Sequence, residues 1–315
     1  MVLHDAASGE NVALDFREMA PARASRDMYL DETGRVAEGR SLFTHLAVGV
    51  PGTVAGMEHA LKRWGTKRLA DLIAPSIKLA EGGFEVSPTL AKMLAVEKER
   101  LGQWASTRAV FFKNGAPLKA GDRLVQKDLA NTLRLIARHG SRVFYCGEIG
   151  DKIVDEIAQY GGLIDRDDLK NYKVEERAPV RGDYRGYTIV SMPPPSSGGT
   201  HIIQILNLLE RYPLSQYGAN SAQTIHLLAE TMKLAYADRA EYLGDPAFVT
   251  VPVNGLTSKK YADDLARRID PDTVLPADAI KPGQPQPYES DQTTHYSIVD
   301  GKGNAVAVTY TLNLS

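Results

Sequence analysis

The stretch "DQTTHYSIVDGKGNAVAVTYTLN", residues 291–313, decides the fold. Two β-rich runs, 293–299 and 305–313, flank "DGKGN" at 300–304, a strong hairpin signal. A loop centred on Lys302 sets Val299 opposite Ala305, Ser297 opposite Ala307, His295 opposite Thr309 and Thr293 opposite Thr311. One face then collects Thr293, His295, Ser297, Thr309, Thr311 and Asn313, and the other carries Tyr296, Ile298, Val306, Val308, Tyr310 and Leu312, the expected core side. A slip of one residue would exchange the two faces.

The threonine-rich face fits an exposed strand surface, because threonine favours strands. Two features weigh against that reading without removing it. The strand opens at Thr293 directly after a Pro-rich approach, and its cross-strand partner is a second hydroxyl, with Asn313 further along the same face. A threonine hydroxyl is a poor nucleophile until a base takes its proton, and no histidine–carboxylate pair lies nearby in sequence. Its own α-amine, with a pKa near ~7.7–8.0, would serve once the Gln292–Thr293 bond was cut.

Upstream, Pro271, Pro276, Pro282, Pro285 and Pro287 predict an irregular, extended linker over about 271–292. Residues 221–243 and 257–269 read as helices, and 178–191 as a β-hairpin with Val180 before the turn and Tyr187 and Ile189 after it. From Thr53 to Lys170 the pattern is helical. Val54, Met57 and Leu61 recur at helical spacing, a Gly pair at 82–83 stops the next helix, and Ser87 with Pro88 caps a third over 87–102. Leu129, Leu133 and Ile136, then Ile149, Ile153 and Ile157, form two further apolar stripes, read as core. Near the start, Val12, Leu14 and Phe16 alternate with Asn11, Ala13 and Asp15, which predicts a strand over 11–17.

Composition narrows the class. The 315 residues, 43% hydrophobic and 24% charged, suffice for one large or two smaller globular domains. Net charge is −2 with the signs interspersed, so no nucleic-acid or membrane surface is expected. Cys146 is the only cysteine, which excludes an internal disulfide and a cysteine metal site. The opening "MVLHDAASGENVALDFREM" has no apolar signal-peptide core, and no run approaches the ~20 apolar residues of a membrane span.

Other candidate sites are weaker. "PPPSSGGTH" at 193–201 opens a helix and could hold an anion, but it lacks P-loop spacing and any lysine, and a rigid turn into a buried helix explains it as well. His226 and Glu230 share a helix face without an HExxH pattern or a second histidine in register, so no metal site is expected. There is no Gly-x-Ser-x-Gly elbow.

Five segments carry a resemblance. "YESDQTTHYSIVDGKGNAVAVTYTLN" resembles the processing site of bacterial γ-glutamyltranspeptidases (glutathione hydrolases). "ALDFREMAPARASRDMYLD", "VGVPGTVAGME", "MPPPSSGGTHIIQILN" and "YADRAEYLGDP" resemble that family's large subunit, in the same order. The resemblance implies an α+β N-terminal nucleophile hydrolase fold, a four-layer αββα sandwich, incomplete in this chain. It also implies a precursor that cleaves itself between Gln292 and Thr293. Residues 1–292 would then belong to the large subunit and 293–315 would open the small one.

By matching position, Thr293 is the expected nucleophile, Thr311 the residue that orients it, Asn313 a residue that holds the glutamyl moiety, and Arg17 the one that binds the substrate α-carboxylate. A surface ion pair of Arg17 with Glu18 or Asp15 is the plainer reading of that residue alone. No role is attached to His295 or to the loop at 196–199. The expected function is γ-glutamyl hydrolysis or transfer, acting on glutathione and related γ-glutamyl compounds with amino acids or peptides as acceptors, without cofactor or metal, in the periplasm or outside the cell. Alternatives are a related cephalosporin acylase or poly-γ-glutamate processing enzyme, or a non-cleaving binding protein on the same fold.

Family members extend beyond both ends of this sequence. The part beyond Ser315 would supply a Gly-Gly oxyanion hole, paired serines and an acidic residue for the substrate amino group. The chain is therefore expected to be a fragment that alone neither folds fully nor turns over substrate.

Overall fold

A computed structural model describes residues 1–286 and 297–307, with the backbone alone for 297–299. The chain divides into two units, one running from Phe16 to Val174 and the other joining Met1–Asp15 to the described residues from Glu175 onward. This division is one of packing and is separate from the covalent boundary expected at Gln292–Thr293.

The unit Phe16–Val174 is mostly helical. Its longer helices are α1 (Thr53–Trp64), α2 (Leu69–Gly82), α3 (Pro88–Val96), α4 (Lys127–His139) and α5 (Glu148–Gln159). Local chemistry sets their ends. Gly83, at φ 71°, closes α2 by donating its N–H to Leu79 O, and a Cβ there would lie 2.6 Å from Leu124 O. Ser87 accepts from Leu90 N as the N-cap of α3, with Pro88 at the first helical position. The helix expected over 87–102 is interrupted at Glu97, and a separate turn follows at Lys98–Leu101. One core gathers Val50, Tyr145, Ile157, Ile164 and Leu169, and a second gathers Val86, Leu94, Leu118 and Leu124. Of the apolar stripes expected there, Ile136, Ile149 and Ile157 are buried, whereas Met57 and Leu129 are exposed.

The other unit is built on a five-stranded antiparallel sheet. Its strands are β1 (Val2–Asp5), β2 (Glu10–Asp15) and β3 (Glu175–Arg177), and at its far side two more that follow the Pro-rich segment. Between these, β4 (Val180–Tyr184) and β5 (Tyr187–Ser191) form a separate two-stranded hairpin. Its turn residues Arg185 and Gly186 both have positive φ, 48° and 86°, as a two-residue hairpin turn that matches strand twist requires. The last strands are β6 (Ser297–Val299) and β7 (Ala305–Ala307), and the order across the sheet is β6-β7-β1-β2-β3.

The strand expected over 11–17 is β2, but it does not lead the sheet. It is preceded by β1, which was not anticipated, and lies between β1 and β3. Its alternation does not separate inside from outside either: Val12, Ala13, Leu14 and Asp15 are all buried.

The longer helices of this unit are α6 (Gly198–Leu209), α7 (Ala222–Tyr242) and α8 (Lys259–Ala266), with short ones at Leu214–Tyr217 and Val253–Thr257. Leu208, Leu227, Leu234, Leu256, Tyr261 and Leu265 form their common core. Ile203 of α6 sits on the β4–β5 hairpin over Gly182, where a Cβ would come within 2.6 Å of Ile203 Cγ2.

Candidate active site

The hairpin read from 293–313 is present where it is described. Ser297 pairs with Ala307, Ile298 with Val306 and Val299 with Ala305, the register expected from the loop. Asp300 closes that loop. Its carboxylate accepts from Lys302 N at 2.8 Å and Asn304 N at 3.0 Å, and its own N–H donates to Asn304 O at 2.9 Å. The hydrogen bonds to its side chain hold the Asp300 pKa below the usual carboxylate value.

The tertiary partner of the hairpin is β1, with Val2 opposite Ala307 and His4 opposite Ala305. Val2, Ala13 and Ala307 are buried together, packed by Val190 and Met192. Ala307 belongs to the face expected to carry the threonines and is buried, while Val306, on the side expected to be core, is half-buried. Gln292, Thr293, Thr311 and Asn313 lie outside the described residues.

Arg17 is described. Its Nε lies 3.6 Å from Glu18 Oε1, both side chains about half exposed at 56% and 49%. Asp15 is engaged elsewhere, accepting from Arg177 Nε at 2.9 Å. The backbone at Arg17 is held firmly: Tyr172 Oη donates to Arg17 O at 2.9 Å, and Met19 bridges Val50. Two glycines of "VGVPGTVAGME" permit this. A Cβ on Gly52 would lie 1.9 Å from Tyr172 Oη and 2.1 Å from Phe16 O, and one on Gly56 2.2 Å from Phe16 Cγ. Tyr145 supports the start of α1 by donating to Pro51 O at 2.7 Å, and its pKa is pushed up to about 12 by burial. Sequence reasoning singled out Arg17 but missed Tyr172 and these glycines, whose signal was the clustered small residues of that motif.

Over its described residues, 271–286, the Pro-rich approach forms no strand or α-helix and has a 3₁₀ turn at Ala277–Ala279, yet it is not a free linker. It is strapped along α7. Gln223 Nε2 donates to Pro271 O at 2.8 Å, and His226 Nε2 lies 2.9 Å from Asp270 O. Glu230 accepts from Leu275 N, and Lys233 Nζ donates to Leu275 O, both at 3.1 Å. Further on, Asp238 Oδ1 accepts from Gly283 N and Tyr242 Oη donates to Gly283 O, both at 2.7 Å. The partners advance together along both segments. Helical rise carries α7 about 28 Å between Gln223 and Tyr242, well within the reach of the extended segment from Pro271 to Gly283.

Glu230 and His226 thus serve this attachment. Among the described residues no group of three or more His, Cys, Asp or Glu side chains is placed to hold a metal ion. The 193–201 segment does lead into a buried helix. Thr200, His201, Gln204 and Asn207 of α6 are buried, burial lowers the His201 pKa, and Ser197 Oγ lies 3.2 Å from Arg239 Nε.

The chain as a whole has counterparts among known proteins. The γ-glutamyltranspeptidase family model matches residues 1–315. The chain is 52% identical over 307 residues to the glutathione hydrolase proenzyme of Escherichia coli K12, covering 97% of this chain and 53% of that protein. It is 42% identical to an acylase ACY 1 proenzyme of a Pseudomonas strain, over 98% of this chain and 55% of that one. Among solved structures, the γ-glutamyltranspeptidase of Helicobacter pylori superposes with a TM-score of 0.88 at 49% identity, over 93% of this chain and 84% of that one.

The fold is therefore that of the N-terminal nucleophile hydrolases, in the α+β class expected. The chain belongs to the γ-glutamyltranspeptidase family. It spans about half the length of the curated relatives it matches.

Proposed function

We propose that the full-length protein is a self-processing γ-glutamyl hydrolase and transferase with Thr293 as its nucleophile. The observation that supports this reading is the described hairpin register, in which Ser297 pairs with Ala307; a hairpin that kept this register would set Thr293 opposite Thr311, with Asn313 on the same face. Thr293 Oγ attacks the Gln292 carbonyl carbon, and the acyl group moves from nitrogen to oxygen. Water then hydrolyses the ester, which leaves a carboxylate on Gln292 and a free α-amine on Thr293. That amine, with a pKa near ~7.7–8.0, is the base of each later turnover.

In turnover Thr293 Oγ gives its proton to the amine and attacks the γ-glutamyl carbonyl of the donor. The leaving amine takes the proton, and a γ-glutamyl ester remains until water or an acceptor amino acid or peptide resolves it. Thr311 orients the nucleophile and Asn313 holds the glutamyl group. Arg17 meets the donor α-carboxylate, for which a planar guanidinium is suited. Its exposed contact with Glu18 costs little to exchange, since such pairs contribute about 0–1 kcal/mol.

Glutathione and related γ-glutamyl compounds are the proposed donors. The large subunit of this reading ends at Gln292 and the small one starts at Thr293; no cofactor enters the chemistry, and the location is the periplasm or the cell exterior. The acylase relative supports a second reading, in which the same nucleophile cleaves an acyl side chain of another substrate class.

Intact mass and N-terminal sequencing of the purified full-length protein, beside Thr293→Ala, provide the test. Two fragments, the smaller starting at Thr293, and an uncut Thr293→Ala are expected. One uncut chain from the unmutated gene would sink the reading. Arg17→Ala is expected to raise the donor KM at least about ten-fold, the loss of a charge-assisted hydrogen bond, and an unchanged KM would turn attention to acylase substrates.

A further inference from the structure

"YADRAEYLGDP", residues 236–246, contributes nothing to the chemistry above, yet it contains the most deeply buried carboxylate on α7. Asp238 is 0% exposed. It accepts three hydrogen bonds: from Gly283 N at 2.7 Å, Tyr261 Oη at 2.8 Å and Gln204 Nε2 at 2.5 Å. One turn along α7, Tyr242 Oη donates to Gly283 O at 2.7 Å. Both polar groups of one residue in the Pro-rich segment are thus gripped from the same helix, and sterics fix the spot as well. A Cβ on Gly283 would lie 2.2 Å from Tyr261 Oη, and one on Gly255 would lie 1.7 Å from Pro285 O.

A buried carboxylate is costly unless its lone pairs are occupied, and here the backbone of the strap supplies one of the donors. Gly283 precedes Gln292 by nine residues, and β6 begins four residues after Thr293. The described chain is therefore fixed at Gly283 before the bond that self-cleavage would break and paired again from Ser297 after it. An intramolecular attack depends steeply on such placement, because a displacement of about 1 Å can cost roughly 10²-fold in rate.

We propose that Asp238 and Tyr242 are positioning residues for self-cleavage: by clamping Gly283 they set the register in which the precursor presents the Gln292–Thr293 bond. This rests on the self-processing reading. The clamp acts on maturation and not on the turnover that follows, because the peptide it aligns is no longer joined to Thr293 once that bond is cut.

The test follows the full-length precursor by intact mass during maturation, with the melting temperature of the precursor and kcat/KM of the matured protein measured alongside. Tyr242→Phe deletes one hydrogen bond without changing shape and is expected to slow cleavage about five-fold, the worth of one such bond. Gly283→Ala forces the strap off Tyr261 and is expected to slow it at least about ten-fold. Asp238→Asn, which keeps an acceptor for Gly283 N, is expected to mature faster than Asp238→Ala. Matured Tyr242→Phe keeps kcat/KM within about two-fold, and its precursor melts within about 2 °C of the unmutated one, the shift that one lost hydrogen bond gives in a chain of this length.

Maturation of Tyr242→Phe and Gly283→Ala at the unmutated rate would overturn the proposal. So would a slowing matched by an equal fall in kcat/KM or by early melting, which marks a merely structural contact. An unmutated precursor that never cleaves removes the self-processing reading itself, and the clamp's role with it.

Discussion

In α5 the buried residues are Ile149, Gly150 and Ile157, while Lys152, Asp155 and Glu156 face water. In α7 Glu230, Thr231 and Asp238 are buried beside Leu227, Leu234 and Ala235, while Ile225, Leu228, Met232 and Tyr236 are exposed. The first helix obeys the usual rule that the apolar stripe marks the inward face. The second breaks it because its inward side does two jobs: it packs leucines against α6 and α8, and it receives the backbone of a segment with no ladder of its own. Backbone N–H and C=O groups laid against a helix need partners, and Glu230, Lys233, Asp238 and Tyr242 supply them.

The largest test of this contrast is packing. In the uncleaved full-length Thr293→Ala precursor, Leu234→Ala is expected to lose about 2–5 kcal/mol in urea denaturation, since Leu234 is fully buried. A loss below about 1 kcal/mol would mean that the leucine side of α7 is not close-packed and that the strap contacts dominate.

A second test is pH. Burial holds the Asp238 pKa above the usual carboxylate value, against the opposing hydrogen bonds from Gly283, Tyr261 and Gln204 and the charge of Arg268. The folded protein therefore binds that proton more readily than the unfolded chain. The resulting stabilisation is present below the ordinary value of 3.8 and is lost as pH rises through the raised folded value. Asp238→Asn removes the titration, so its stability relative to the parent is expected to improve from about pH 4 upward. Parallel pH–stability curves for the two would refute a buried, charged Asp238. The smallest effect belongs to α5, where Asp155→Ala is expected to stay within about 0.5 kcal/mol. A larger loss would erase the distinction between the helices.

What was legible in the sequence follows from where interactions are local. The Ser87 cap, the Gly83 stop, the 178–191 hairpin and the hairpin around Lys302 each depend on residues a few positions apart, and each is found among the described residues. β1 was missed because "VLHD" is too short to show a period, and it becomes a strand only between β2 and β7. The alternation in β2 misled because the sheet is buried on both faces there. For the site, spacing put Thr293, Thr311 and Asn313 on one face, and their roles and that of Arg17 came only from the family resemblance. The hold on Arg17 by Tyr172, far along the chain, had no local signature.

By itself, the sequence determined the hairpin register where it is described, the Ser87 cap, the Gly83 stop and the family, because turn chemistry, caps and motifs are properties of neighbouring residues. Only the tertiary structure decided that the Pro-rich approach is strapped to α7 and that a buried aspartate grips Gly283. Hydrogen bonds across 45 residues of chain, such as that from Gly283 N to Asp238, exist only once the helices have packed and excluded water from them.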